Sequence, residues 1–247
     1  MSISTGIIGG TGLQSLNGIN ELSRNNVSNR YGNVSAPLIN VSINGIEAVF
    51  LARHGTPHTI PPHKVNYRAN IYALKEMGVN NIISVNVVGG ITKSMSPGTI
   101  VLPHQIIDYT YSREHTFFEE NLESVVHIDF TNPYCNKLRN QLIAISKSQK
   151  VTFIPKATYA ATQGPRLETA AEIRRIENDG CDIVGMTGMP EASLARELDI
   201  NYVSICLVVN WAAGKSDEII TMELIHSHIE SGMRKILELI KMAVINQ

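Results

Sequence analysis

Short apolar runs, most of them rich in β-branched residues, punctuate the chain at Ile7-Ile8, Ala48-Val49-Phe50-Leu51, Ile82-Ile83-Ser84-Val85, Ile100-Val101-Leu102, Asp182-Ile183-Val184 and Tyr202 to Val209. Runs this short, without alternation of apolar and polar positions, read as strands covered on both faces. Helical stretches alternate with some of them. Residues 65–77 stop before Gly78, 167–179 stop before Gly180, and 191–198 follow Pro190, so each boundary carries a suitable stop or start residue. Toward the end, Ile225, Ile229, Met233, Ile236, Ile240 and Ala243 recur at spacings of three and four with Lys and Glu between them, which predicts an amphipathic C-terminal helix. The pattern is α/β, with a mixed or parallel sheet.

Composition narrows the picture. With 247 residues, 43% apolar and 17% charged, the chain can bury a large core as one domain spanning residues 1–247, and no repeat or linker divides it. A formal net charge of -1 offers no basic surface for a nucleic-acid backbone and favours a small-molecule partner. Nowhere do about 18 apolar residues follow one another, and the opening Met1 to Thr5 lacks a basic stretch followed by an apolar run. The expectation is a cytoplasmic protein with no membrane partner. Cys135, Cys181 and Cys206 are widely spaced and form no C-x-x-C pair, against both a disulfide framework and a zinc site.

Several motifs carry chemistry. Gly9-Gly10-Thr11-Gly12 follows a short strand, where convergent N–H groups and the Thr11 hydroxyl form a phosphate cradle or the glycines form an ordinary turn. A dinucleotide fingerprint is disfavoured, because Ser15 stands where the third small residue belongs. Ala212-Ala213-Gly214-Lys215-Ser216 imitates the end of a P-loop but has Val209 in place of its first glycine, and reads as a plain loop. Arg53-His54-Gly55, after another strand, sets a fixed cation beside a histidine donor, and together they can grip an oxyanion through charge-assisted hydrogen bonds; the alternative is a surface arginine. His54, His58 and His63 are interrupted by Pro57, Pro61 and Pro62 and lack an acidic or thiolate partner, so no metal is expected. Two strand-to-helix turns, Gln163 to Thr169 and Gly185 to Glu191, belong at the carboxyl edge of the sheet, where α/β proteins take ligands.

In this order the motifs resemble the trimeric purine nucleoside phosphorylase and methylthioadenosine phosphorylase family, from Gly6 to about Ser216, and within it the bacterial methylthioinosine-cleaving branch. The resemblance implies a partly barrel-like mixed sheet flanked by helices, a homotrimer, no cofactor, and inorganic phosphate as co-substrate. It implies that Thr11, Arg53, His54, the Val87 N–H and Thr187 hold phosphate, that Met186 lines the ribose, and that Glu168 and Asn210 meet the purine. It also brings His58, His127, Leu224 and Ile225 to the ribose 5' end, His127 reaching in from a neighbouring subunit.

The last two groups then decide the substrate. A carboxylate such as Glu168 only accepts hydrogen bonds, so it suits the N1–H of a 6-oxopurine and opposes the N1 lone pair of adenine. Asn210 offers a donor and an acceptor, fit for O6 and a protonated N7, where adenine-cleaving relatives have an aspartate. An aliphatic Leu224 favours a methylthio group over a hydroxyl, although a methyl-scale difference is worth only about 1–3 kcal/mol. The expected reaction is phosphorolysis of 5'-methylthioinosine to hypoxanthine and 5-methylthioribose 1-phosphate. Adenine-cleaving and inosine- or guanosine-cleaving enzymes are the alternatives, and a non-catalytic nucleoside or phosphate sensor is the remote one. Trp211, next to Asn210, is expected to pack beneath the loop rather than wall the purine pocket.

Overall fold

A computed structural model describes residues 4–10, 20–120, 122–149, 151–217 and 222–246, leaving aside the side chains of 222–227. The apolar runs become strands of one mixed sheet. In chain order the described strands are β1 (Thr5–Gly9), β2 (Asn20–Asn25), β3 (Ser28–Asn29), β4 (Gly32–Asn33), β5 (Leu38–Ile43), β6 (Ile46–Ala52), β7 (Asn81–Gly90), β8 (Ile100–Val101), β9 (Gln105–Asp108), β10 (Thr158–Ala161), β11 (Ile183–Gly185) and β12 (Asn201–Trp211). The sheet runs β2-β5-β6-β1-β7-β11-β10-β9, with β12 also paired to β7 and β8 to β12, while β3 and β4 form a separate small hairpin.

The branch at β7 makes room for a site. Its first half pairs in parallel with β1 from Asn81 to Ser84, and its end pairs antiparallel with β11 at Gly89 and Gly90. Between these, no described strand covers residues 85–88 on that edge, so their backbone groups there are available to side chains or a ligand. On the other edge β12 runs parallel to β7 along its whole length. Gly90 is required by close approach, since a Cβ there would overlap the Met95 carbonyl oxygen.

The β12 ladder has an irregularity between Val208 and Asn210: Val208 pairs with Val88 and Asn210 with Gly89, one residue being looped out. Alternation along a regular strand would turn Val209 and Asn210 to opposite faces. The extra residue interrupts that alternation at the strand end, and both residues line the same cavity.

The described helices are α1 (Tyr67–Glu76), α2 (Asn136–Ser148), α3 (Ala170–Asn178), α4 (Gly188–Glu197) and α5 (Met222–Ile245). Asn66 caps α1 by accepting from the Ala69 N–H, and Thr169 and Glu172 form a reciprocal capping box at the start of α3. That box delays α3 to Ala170, so Leu167 and Glu168 stand in the turn and not in the helix expected from residue 167. Conversely, α4 begins at Gly188, earlier than the expected 191, with Met189 non-helical inside it. The α2 helix and strands β2, β5, β9 and β10 lay outside the sequence expectations. No helix among the described residues is long and apolar enough to cross a membrane.

Candidate active site

A cavity of about 590 Å³ opens at the end of β7, and its lining draws on nearly every motif singled out above. Gly10, Arg53, His54, His58, Val87, Glu168, Met186, Thr187 and Asn210 all line it. Ala212 and Ala213 of the false P-loop join them, together with Ile229 and Met233 of α5. Thr11 and the side chains of Leu224 and Ile225 lie outside the described residues. His127 is exposed and does not line the cavity, and neither does Trp211, which is half-buried.

One end of the cavity rests on a buried polar network. Arg53, only 2% exposed, donates from Nε to Glu191 Oε2 at 2.7 Å and from Nη2 to Glu191 Oε1 at 2.8 Å. It also donates from Nη2 to Ser84 Oγ at 2.6 Å and from Nη1 to the Val85 carbonyl at 3.2 Å. Arg53 is therefore not the surface arginine of the alternative reading: its charge is matched by a buried carboxylate, and one Nη1 hydrogen remains beyond these bonds. Burial works against the guanidinium charge, but Glu191 more than offsets it and raises the Arg53 pKa above its ordinary value.

Glu191 is held further, since Ser84 Oγ and Tyr202 OH also donate to Oε1 at 2.7 and 2.8 Å. Asn86 extends the network by donating to Ser204 Oγ at 2.7 Å and accepting from Thr187 Oγ1 at 2.7 Å. Glu191, Ser84, Asn86 and Ser204 were not recognised from sequence. The available signal was polar residues inside the otherwise apolar β7 and β12, where Ser84 and Ser204 face each other in register.

Strand geometry gives Val87 its place. Backbone groups two residues apart point to the same edge of a strand. The Val85 carbonyl meets Arg53 and the Ile91 N–H meets the Asp182 carbonyl, so the Val87 N–H is directed to that same uncovered edge. Its side chain is the exposed one in a strand that is otherwise almost wholly buried.

His54 Nδ1 lies 2.8 Å from the Ile60 carbonyl, which can only accept, so Nδ1 carries the hydrogen. Burial, with a smaller contribution from the Arg53 charge, lowers the His54 pKa to about 4. The neutral ring then presents Nε2 as an acceptor. His58 stacks on it with centroids 4.5 Å apart, and its pKa is lowered by desolvation and by Arg53. Among the described residues no group of His, Cys, Asp and Glu is arranged to hold a metal ion.

The other end stands on the turn after β10 and on the end of β12, beside the turn after β11. Glu168, between β10 and α3, accepts from Thr162 Oγ1 at 2.6 Å. Asn210 is buried, and its Nδ2 donates to the Trp211 carbonyl at 2.7 Å, leaving one N–H and Oδ1. Both turns are joined by Arg113, which sequence reasoning passed over. Its guanidinium donates to the carbonyls of Thr162 and Gln163 on one turn and of Met186 and Met189 on the other, at 2.6 to 3.1 Å.

The family model described as the phosphorylase superfamily matches residues 4–244. The chain is 53% identical over 230 residues, 93% of its length and 94% of the relative's, to a probable S-methyl-5'-thioinosine phosphorylase of Pseudomonas syringae pv. tomato. It is 45% identical over 235 residues, 93% of its length and 86% of the relative's, to the 6-oxopurine nucleoside phosphorylase of Pyrococcus furiosus. Among solved structures it resembles the methylthioadenosine phosphorylase of Schistosoma mansoni in complex with adenine, with a TM-score of 0.93 at 30% identity over 98% of this chain and 91% of that one.

Proposed function

From the premise that this chain belongs to the phosphorylase superfamily, we propose that it cleaves 6-oxopurine nucleosides by phosphorolysis, with 5'-methylthioinosine as its preferred substrate. The observation that carries this reading is one cavity holding an anion-facing group, Arg53, His54, Val87 and Thr187, together with the purine readers Glu168 and Asn210. Its relatives at 45% identity and above include enzymes of both the methylthioinosine and the 6-oxopurine kind.

In the reaction, the C1'–N9 bond breaks with its electron pair passing to the base, and a phosphate oxygen bonds to C1' from the opposite face. Hydrogen phosphate loses one proton overall and the released hypoxanthine gains one, so the products are hypoxanthine and 5-methylthioribose 1-phosphate. Phosphate, held by the Val87 N–H, the remaining Arg53 N–H, Thr11 and a Thr187 hydroxyl turned from Asn86, faces the developing positive charge on the sugar. The acceptor Nε2 of His54 suits the protonated phosphate oxygen and so leaves an unprotonated one for attack. Glu168 takes the N1–H, while Asn210 serves O6 and N7. Rate enhancement comes from alignment and preorganised charge, with no covalent enzyme intermediate.

Met186 lies along the ribose. Gly164, at φ +63°, has no room for a Cβ beside the Met186 sulfur, so a side chain there would displace it. The 5' end is supported as apolar by Ile229 and Met233, with His58, Leu224 and Ile225 assigned to the same end. We further assign a cytoplasmic homotrimer in which His127 completes a neighbour's 5' pocket. Its supporting feature is the exposed apolar run beside His127, where Leu122, Val125 and Val126 are 42%, 74% and 43% exposed. Sedimentation at micromolar concentration tests it, with a monomer as the contrary result.

The decisive assay is competition among methylthioinosine, inosine and methylthioadenosine, with and without phosphate. Hypoxanthine from methylthioinosine should form fastest and only with phosphate. Release of adenine with the higher kcat/KM would overturn the assignments of Glu168 and Asn210.

A further inference from the structure

We propose that Thr162 orients Glu168 and thereby sets the purine preference, a positioning role that rests on the function proposed above and names the origin of its base choice. Glu168 is a partly exposed side chain on a turn, and such a carboxylate has several rotamers unless something holds it. Thr162 is the holder. It is 9% exposed, its N–H donates to the Gly185 carbonyl at 2.8 Å and its own carbonyl accepts from Arg113 Nη2 at 3.1 Å. The hydroxyl is thus pinned to both cavity turns through its backbone.

A hydroxyl has one hydrogen to give. Thr162 Oγ1 lies 2.6 Å from Glu168 Oε1 and 3.3 Å from the Gly185 carbonyl, so the shorter, charge-assisted bond takes it. Oε1 is then tethered, and Oε2 is the oxygen left wholly to the purine edge. A fixed acceptor rewards the N1–H of an oxopurine and repels the N1 lone pair of an aminopurine. Release the tether and both effects shrink together, because a displaced carboxylate neither rewards one base nor opposes the other. This joint change separates an orienting role from general damage.

Thr162→Val keeps the side-chain shape and removes the hydroxyl, whereas Thr162→Ser keeps the hydroxyl. The Val variant should lose on the order of tenfold in kcat/KM for methylthioinosine, the worth of one hydrogen bond to a charged group. The ratio of methylthioinosine to methylthioadenosine cleavage should narrow by a similar factor, with the phosphate KM unchanged and the Ser variant near wild type. Calorimetric binding of free hypoxanthine, which needs no turnover, should weaken in the Val variant alone. The proposal is overturned by a Val variant with wild-type base ratio and hypoxanthine affinity, by a Ser variant equally impaired, or by a phosphate KM that rises in step. A wild-type protein that binds hypoxanthine but does not phosphorolyse nucleosides would sink the functional reading and leave the binding arm to judge Thr162. If the Val variant does not fold, Thr162→Ala against Thr162→Ser carries the same comparison.

Discussion

At the anion end of the cavity the polar side chains are buried between strands and helices, Arg53 at 2% and Glu191 at 1% exposure, whereas at the base end Glu168 sits on a turn beside Leu167, which is 49% exposed. The buried Arg53, Glu191, Ser84 and Asn86 side chains of the first end are held by hydrogen bonds within one chain. The second depends on tethers, those of Thr162 and Arg113, and its 5' rim is assigned partly to a neighbouring subunit. The contrast teaches where each kind of mutation should act: changes at the anion end threaten the fold, and changes at the base end redirect the chemistry.

The largest effect should come from Glu191→Ala. Removing the carboxylate strands the buried Arg53 charge, which costs about 3–5 kcal/mol of stability. Chemical denaturation should report that loss, and a variant as stable as wild type would contradict the matched-pair description. Next is Arg113→Met, which leaves the carbonyls of Thr162, Gln163, Met186 and Met189 without their donor. With each unsatisfied buried group costing about 1–3 kcal/mol, even partial rescue by water predicts a large fall in nucleoside kcat/KM and a lower Tm. The phosphate KM should change less than the nucleoside KM, since Arg113 reaches the anion end through the Met186 and Met189 carbonyls flanking Thr187, whereas Arg53, Ser84 and Asn86 are held by other partners. Equal changes in both would mean that the two ends are not separately built.

Asn210→Asp acts on base choice and also removes the Nδ2 donor to the Trp211 carbonyl. A carboxyl there can protonate N7 and accept from a 6-amino group, so oxopurine cleavage should weaken and aminopurine cleavage improve relative to it, by about tenfold for one exchanged hydrogen bond. Unchanged preference would remove Asn210 as a reader. A separate effect is on pH dependence. The His54 pKa falls from an ordinary 6.5 to about 4 on folding. Between those values the unfolded chain binds a proton that the folded chain does not, so stability should decline as pH falls through this window. His54→Gln should flatten that slope in denaturation curves measured between pH 7 and pH 4, and an unaltered slope would reassign the acid sensitivity.

The same contrast explains what could be read from sequence. Strands β1, β6, β7, β11 and β12 were legible because they are covered on both faces and therefore continuous in apolar residues. Strand β5 alternates at its end as Val41-Ser42-Ile43, and the all-exposed β2 offers no apolar run at all, so neither stood out. Helix α2 has Leu138, Leu142 and Ile145 on one face but begins at Cys135 without a side-chain cap. In the site, Arg53, Glu168 and Asn210 were found as members of motifs. Glu191 was quoted only as the end of a turn, because nothing in a linear sequence tells that a residue 138 positions from Arg53 will be its counter-charge. Arg113 and Thr162 act on backbone carbonyls or through another side chain, and such roles leave no spacing to recognise. The β12 irregularity beside Asn210 is likewise a property of the ladder and not of its residues.

In the proposed reaction an anion and a purine are held in one cavity a pentose apart, so that phosphate itself attacks the sugar. Phosphorus NMR of the protein with methylthioinosine and inorganic phosphate tests it most directly. A sugar 1-phosphate ester resonance should grow in equal amount with released hypoxanthine. Release of hypoxanthine while the phosphate resonance stays unchanged would make water the nucleophile and contradict phosphorolysis.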